Sequence, residues 1–92
     1  MTEKLLQQQV ITAAKKRGIF VVKTEAVGRR GFPDLTLIHR GRVVFIELKH
    51  PNGRGKLSAL QVVMIDDMRA HGAEVHVLDD LTECLTLLDS ML

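Results

Sequence analysis

Residues 31–49 read Gly-Phe-Pro-Asp-Leu-Thr-Leu-Ile-His-Arg-Gly-Arg-Val-Val-Phe-Ile-Glu-Leu-Lys. Two runs rich in β-branched and large apolar residues, Asp34–His39 and Val43–Lys49, flank Arg40-Gly41, which predicts a β-hairpin with a short loop. With the loop centred between Arg40 and Gly41, His39 faces Arg42, and counting outward brings Asp34 opposite Glu47. Directly opposed residues project from one face, with Cβ atoms about 4.5–5.5 Å apart. Lys49 lies two residues beyond Glu47 and shares that face. Three charged groups therefore converge at one end of the hairpin. The inference holds for an even loop, because an odd one shifts the register by one residue and breaks the opposition. The opposite face carries Leu35, Leu37, Val44, Ile46 and Leu48 and is expected to be buried.

Outward from the hairpin, the chain alternates readable elements with short breaks. Thr2 can cap a first helix running to about Arg17, with Leu6, Val10 and Ala13/Ala14 at helical spacing and Gly18 as its stop. Ile19–Thr24 reads as a strand. Glu25–Pro33 is a basic loop holding Gly28, Gly31 and Pro33, and His50–Lys56 is a second basic loop. Ser58-Ala-Leu-Gln61 has the capping-box form and opens a helix to about His71, ended by Gly72. Ala73–Leu78 alternates as a strand, and Asp80-Leu-Thr-Glu83 is a second capping-box start to a leucine-rich last helix. The order is αβββαβα.

The 92 residues predict one domain, residues 1–92, with a core of modest size. A 46% hydrophobic and 26% charged composition is that of a globular protein. No run reaches the roughly 18–20 apolar residues that a membrane span needs. The opening residues lack an apolar signal segment, and the single cysteine, Cys84, has no internal partner and falls among helical leucines, so it reads as a small buried hydrophobe. A cytoplasmic-type, reducing compartment is the expectation. The net charge of +2 is uninformative, but its distribution is not. Between Arg29 and Lys56 seven basic residues face two acidic ones, so the segment carries +5 and the rest of the chain, with six basic and nine acidic residues, −3. A basic centre with acidic ends suggests a localised anion-binding face, with Arg29, Arg30, Arg54 and Lys56 as candidates to hold a nucleic-acid backbone.

Two close carboxylates repel unless a proton or cation lies between them. Carboxylate oxygens suit Mg²⁺ or Mn²⁺, and such an ion polarises a phosphoryl oxygen and acidifies its bound water. A lysine beside it can orient or deprotonate the attacking water or neutralise charge on the phosphorane. Phosphodiester hydrolysis needs this set of parts. Asp34, Glu47 and Lys49 are accordingly the candidate catalytic residues. The bland alternatives are a turn acid for Asp34, a cross-strand ion pair for Glu47 and a surface lysine for Lys49. Glu25 is a further candidate to approach a metal, and His50 an accessory one. His39, His71 and His76 have no ligand-like spacing, and no zinc site is expected.

Gly31-Phe-Pro-Asp34, a hairpin and Ile46-Glu-Leu-Lys49 resemble the PD-(D/E)xK nuclease superfamily, matched at Pro33-Asp34 and Glu47-Leu48-Lys49. The fuller pattern is similar to the virus-type replication-repair nuclease (VRR-NUC) domain, with Glu3 in the first helix, Gly31/Pro33/Asp34, Glu47/Lys49 and Gln61 at matching places. The resemblance implies an α/β (α+β) restriction-endonuclease-like core with a mixed central sheet flanked by helices. It implies a divalent-metal-dependent, structure-selective DNA endonuclease, similar to Holliday-junction resolvases, acting on branched DNA as a homodimer. Asp34, Glu47 and the Leu48 backbone carbonyl would hold the metal, with Glu3 and Gln61 joining Lys49 as catalytic residues. Glu3 is equally explained by the first-turn helix dipole, and Gln61 by the capping box. Larger family members carry additional DNA-binding domains, so substrate preference is not carried over. Two other classes stay in view. A nucleic-acid-binding module without catalysis, or a non-catalytic subunit of a larger replication or repair complex, would not need paired acids, and a purely structural domain would not gather acids and lysine between two basic loops. The last helix, with Leu81, Leu85, Leu87, Leu88, Met91 and Leu92, carries more apolar surface than one sheet face needs, which also points to a dimer.

Overall fold

The computed structural model describes residues 1–24 and 28–92; Glu25, a candidate above, lies outside the described residues. The elements are α1 (Glu3–Lys16), β1 (Phe20–Lys23), β2 (Leu35–His39), β3 (Arg42–Leu48), α2 (Ala59–Ala70), β4 (Glu74–Leu78) and α3 (Leu81–Ser90), in the predicted order. The four strands form one mixed sheet, β1-β2-β3-β4, antiparallel except for the β3–β4 pair.

Local chemistry explains the ends. The Thr2 hydroxyl accepts from the Leu5 N–H at 3.0 Å, and Ser58 and Gln61 form both halves of a capping box. At α3 the Glu83 N–H donates to Asp80 Oδ2 at 3.0 Å. The β2–β3 turn is two residues long, with Arg40 at φ +49° and Gly41 at φ +81°, the paired positive angles of the tight hairpin turn whose twist matches its strands. Asn is preferred over Arg in the left-handed region. Arg40→Asn is therefore expected to stabilise the fold by about 0.5–1 kcal/mol, read as a higher midpoint in urea at unchanged slope.

The even turn fixes the register expected above: Leu35 pairs with Ile46, Leu37 with Val44 and His39 with Arg42. Leu35, Leu37, Val44, Ile46 and Leu48 are all fully buried on one face, under Leu6, Val10 and Ala14 of α1, Cys84 and Leu88 of α3, and Met91 at its end. Burying each such aliphatic side chain contributes about 1.5–3 kcal/mol, an upper bound for a compact unfolded chain. On the other face α2 covers only the β3–β4 half, through Met64 and Ile65, with Val75 of β4 buried there too.

The surplus apolar surface expected on α3 is used inside the monomer. Cys84, Leu88 and Met91 are buried, and Leu81, Leu85 and Leu87 pack partly against the same core, because α1 lies beside α3 over one sheet face. Of the residues expected there only Leu92 is exposed, while a further apolar patch lies on the uncovered part of the sheet, where Phe20, Val22, Ile38 and Val43 face outward. At the far end of the sheet Arg42 forms a two-pronged bond to Glu74 (3.0 and 2.7 Å) and reaches the Ser90 carbonyl at 3.0 Å, tying β3, β4 and the end of α3. No helix among the described residues is long and apolar enough to cross a membrane.

Candidate active site

Pro33 brings no N–H to the ladder, and Asp34 takes over where regular pairing ends. Its carboxylate Oδ2 accepts the Leu48 N–H at 2.9 Å, and its backbone carbonyl accepts the Thr24 N–H at 2.7 Å. One step past the Leu35–Ile46 pair, Asp34 is thus drawn to the β3 backbone beside Glu47, as the register requires.

Glu47 is the buried acid of the site, 2% exposed, on the sheet face that α2 covers. Its Oε2 accepts from Gln61 Nε2 at 2.8 Å and lies 3.4 Å from Lys49 Nζ. Its Oε1 is buried with no hydrogen-bond partner. Burial, then the neighbouring Asp34 charge, pushes the Glu47 carboxyl up to about 7 against the opposing pull of Lys49. A carboxylate held this way at neutral pH is destabilised by its surroundings and open to a cation.

Gln61 links the rest. Its Oε1 accepts both the Ser58 N–H and Lys49 Nζ, each at 2.9 Å, while its Nε2 donates to Glu47. Reversing the amide would set its NH₂ against two donors, so the orientation follows from its neighbours. The capping-box and active-site explanations of Gln61 are therefore one arrangement: the side chain that caps α2 also spaces Lys49 from Glu47.

Two glycines bring these parts together. Gly31, at φ +84°, lies so close to α2 that a Cβ there would sit 2.6 Å from the Leu60 carbonyl oxygen and 2.9 Å from the Gln61 nitrogen. Gly55 lies over the Lys49 stem, where a Cβ would come 3.0 Å from the Lys49 Cβ. Sequence reasoning placed Gly31 in a motif and missed Gly55 altogether; proximity in three dimensions was the only signal.

The other candidates divide. Glu3 lines a cavity of about 520 Å³ beside α1 whose wall includes Asp34, so it borders the site from another element. Lys4, Gln7 and Lys23 line the same cavity and were not anticipated. Arg29 lies along α2, 3.7 Å from Asp67 Oδ2 and 3.6 Å from the Met64 sulfur. Arg30, Arg54 and Lys56 are exposed. His50 serves its own turn, with Nδ1 accepting the Asn52 N–H at 3.1 Å. No group of three or more His, Cys, Asp or Glu side chains suited to a metal occurs among the described residues.

The VRR-NUC domain model matches residues 1–79 of the 92. The chain belongs to the VRR-NUC family. A solved structure described as a VRR_NUC domain superposes with a TM-score of 0.83 at 27% identity, covering 95% of this chain and 94% of that one. A second, a VRR_NUC domain protein, gives 0.84 at 18% identity over 100% of this chain and 88% of that one, a likeness of fold. No curated protein matches the sequence. The mixed sheet and three helices are those of this nuclease-type domain, consistent with the PD-(D/E)xK core. Asp34, Glu47, Lys49 and Gln61, on which the sequence resemblance rests, are brought together by the hairpin and the α2 cap.

Proposed function

We propose that this VRR-NUC domain is a divalent-metal-dependent DNA endonuclease that selects branched structures. The observation that carries the reading is the buried Glu47 carboxyl, its Oε1 unpartnered, beside Asp34 and tied through Gln61 to Lys49. An orphaned buried oxygen costs about 1–3 kcal/mol unless something satisfies it. The all-oxygen donor set suits Mg²⁺ or Mn²⁺. Asp34, Glu47 and the Leu48 carbonyl would hold the ion, and Glu3 would reach it through water. When bound, it supplies Lewis acidity toward a phosphoryl oxygen and a more acidic water.

The chain's own residues do the remaining work. Gln61 holds the Lys49 ammonium beside the acids, where it orients the attacking water and neutralises charge on the phosphorane. Arg29, Arg30, Arg54 and Lys56 hold the DNA backbone.

The test is cleavage of labelled four-way-junction, flap and linear DNA in Mg²⁺, Mn²⁺ and EDTA. The expected result is metal-dependent cutting of branched substrates. Asp34→Ala and Glu47→Ala should abolish it, and Lys49→Met should slow it by about 10²–10⁴-fold. Binding without cutting in either metal would instead mean a nucleic-acid-binding module.

A homodimer belongs to the same reading, on the open sheet face rather than α3. Phe20 is 57% exposed there and shares the face with Val22, Ile38 and Val43, so a two-fold contact would bury them together. Sedimentation should give a dimer at micromolar concentration and a monomer for Phe20→Ser; a monomeric parent overturns this part.

A further inference from the structure

A second cavity lies between α2 and the 28–30 stretch. Its volume is about 580 Å³, and its lining includes Arg29, Arg30, Leu60, Val63, Met64 and Asp67. Leu60 and Val63 are 54% and 67% exposed and share one face of α2 with Met64, whose side chain is buried at the cavity floor. Neither residue contributes to the core, and valine is a mediocre helix former, so the fold gives no reason for aliphatic side chains at both positions. Arg29 and Arg30 line the opposing side. Arg29 rests on Met64 and is steadied by Asp67 at 3.7 Å, while Arg30 is exposed.

We propose that this cavity is a subsite for one unpaired nucleotide next to the cleaved phosphodiester, a proposal that rests on the nuclease reading and specifies its substrate. An apolar floor with a cationic rim fits a nucleobase and its phosphate: the base packs on Leu60 and Val63, and Arg29 and Arg30 take the phosphate and stack on the ring. Phosphate alone would not need the aliphatic floor, and a purely apolar partner would not need the guanidinium rim. A base within an intact duplex cannot reach such a floor without leaving its stack. Branch points, bulges and flaps supply an unpaired base at no such cost. The volume lies within the roughly 300–1,000 Å³ typical of small-molecule sites. The cavity is coupled to the site covalently, since Leu60 precedes Gln61, and sterically, since Gly31 packs on the Leu60 carbonyl.

The experiment measures binding in EDTA, where cutting cannot interfere. The probes are a duplex carrying one unpaired 2-aminopurine and the same duplex fully paired. The parent should prefer the bulged probe about tenfold, equivalent to about 1.4 kcal/mol, and alter the 2-aminopurine fluorescence. The double variant Leu60→Ser/Val63→Ser, both changes at exposed positions, should bring that ratio close to one with duplex affinity unchanged. A thermal melt checks that it folds. An undiminished ratio overturns the subsite, as does equal loss on both probes. A change in sedimentation of the double variant also overturns it, marking the face as a contact between copies. A parent that binds neither probe ends both this proposal and the nuclease reading. A parent that shows the preference but cuts no DNA in Mg²⁺ or Mn²⁺ ends the nuclease reading alone.

Discussion

Replacing Glu47 by Gln is expected to stabilise the metal-free protein at pH 8 by about 2–3 kcal/mol while abolishing DNA cleavage. The folded carboxyl titrates at about 7, against an ordinary value of 4.5. Between those two pH values the folded state keeps a proton that the unfolded chain releases. Stability contributed by this group is therefore present at low pH, falls as pH rises through the window, and levels off above about 7. Glutamine cannot ionise, so the variant escapes the loss. It forfeits only the attraction to Lys49 at 3.4 Å, and at pH 4 it should match the parent. Urea unfolding in EDTA at pH 4, 6 and 8 reads the effect; a variant less stable at pH 8 would overturn it. Mg²⁺ should raise the parent's melting temperature at pH 8 and leave the variant's unchanged. The acid of the site is thus a liability to the fold that a cation would relieve.

Gly31→Ala is expected to cost about 2–4 kcal/mol, the sum of a left-handed backbone that alanine resists and a backbone collision. The methyl would sit 2.6 Å from the Leu60 carbonyl oxygen, and what blocks it is helix backbone, not a side chain that could swing away. Relief requires the first turn of α2 to move, and Gln61 moves with it, away from Glu47 and Lys49. The variant should show a lower urea midpoint and weaker cleavage even where it remains folded. Equal stability in parent and variant would show that α2 adjusts freely. For a chain of 92 residues, a loss of this size is a large part of the whole stability.

Legibility in the sequence followed the range of the interaction. Thr2, Ser58-Gln61 and Asp80-Glu83 announce helix starts because capping joins residues three apart. The Arg40-Gly41 turn sets the strand register because a two-residue loop leaves no slack, and that register carries Asp34 toward Glu47 and buries Leu35, Leu37, Val44, Ile46 and Leu48. The resemblance to the family is legible for the same reason, since Asp34, Glu47, Lys49 and Gln61 lie at fixed steps along one hairpin and one helix start.

Where the chain folds back on itself, pattern reading stopped. The leucines of α3 have an apolar face in any environment, and only the position of α1 beside it decided that this face is core. The open patch of Phe20, Val22, Ile38 and Val43 arises because α2 covers half a sheet, a matter of packing that no strand's own alternation records. The dual use of Gln61, the closeness of Gly31 to Leu60 and of Gly55 to Lys49, and the Lys4–Lys23 wall beside Asp34 join residues from separate elements. By itself the sequence determined the helix starts, the hairpin register and the acids and lysine it gathers, because each depends on neighbours within a few residues. The tertiary structure alone decided which faces are covered and what surrounds those charges, because burial and desolvation depend on elements that approach from far along the chain.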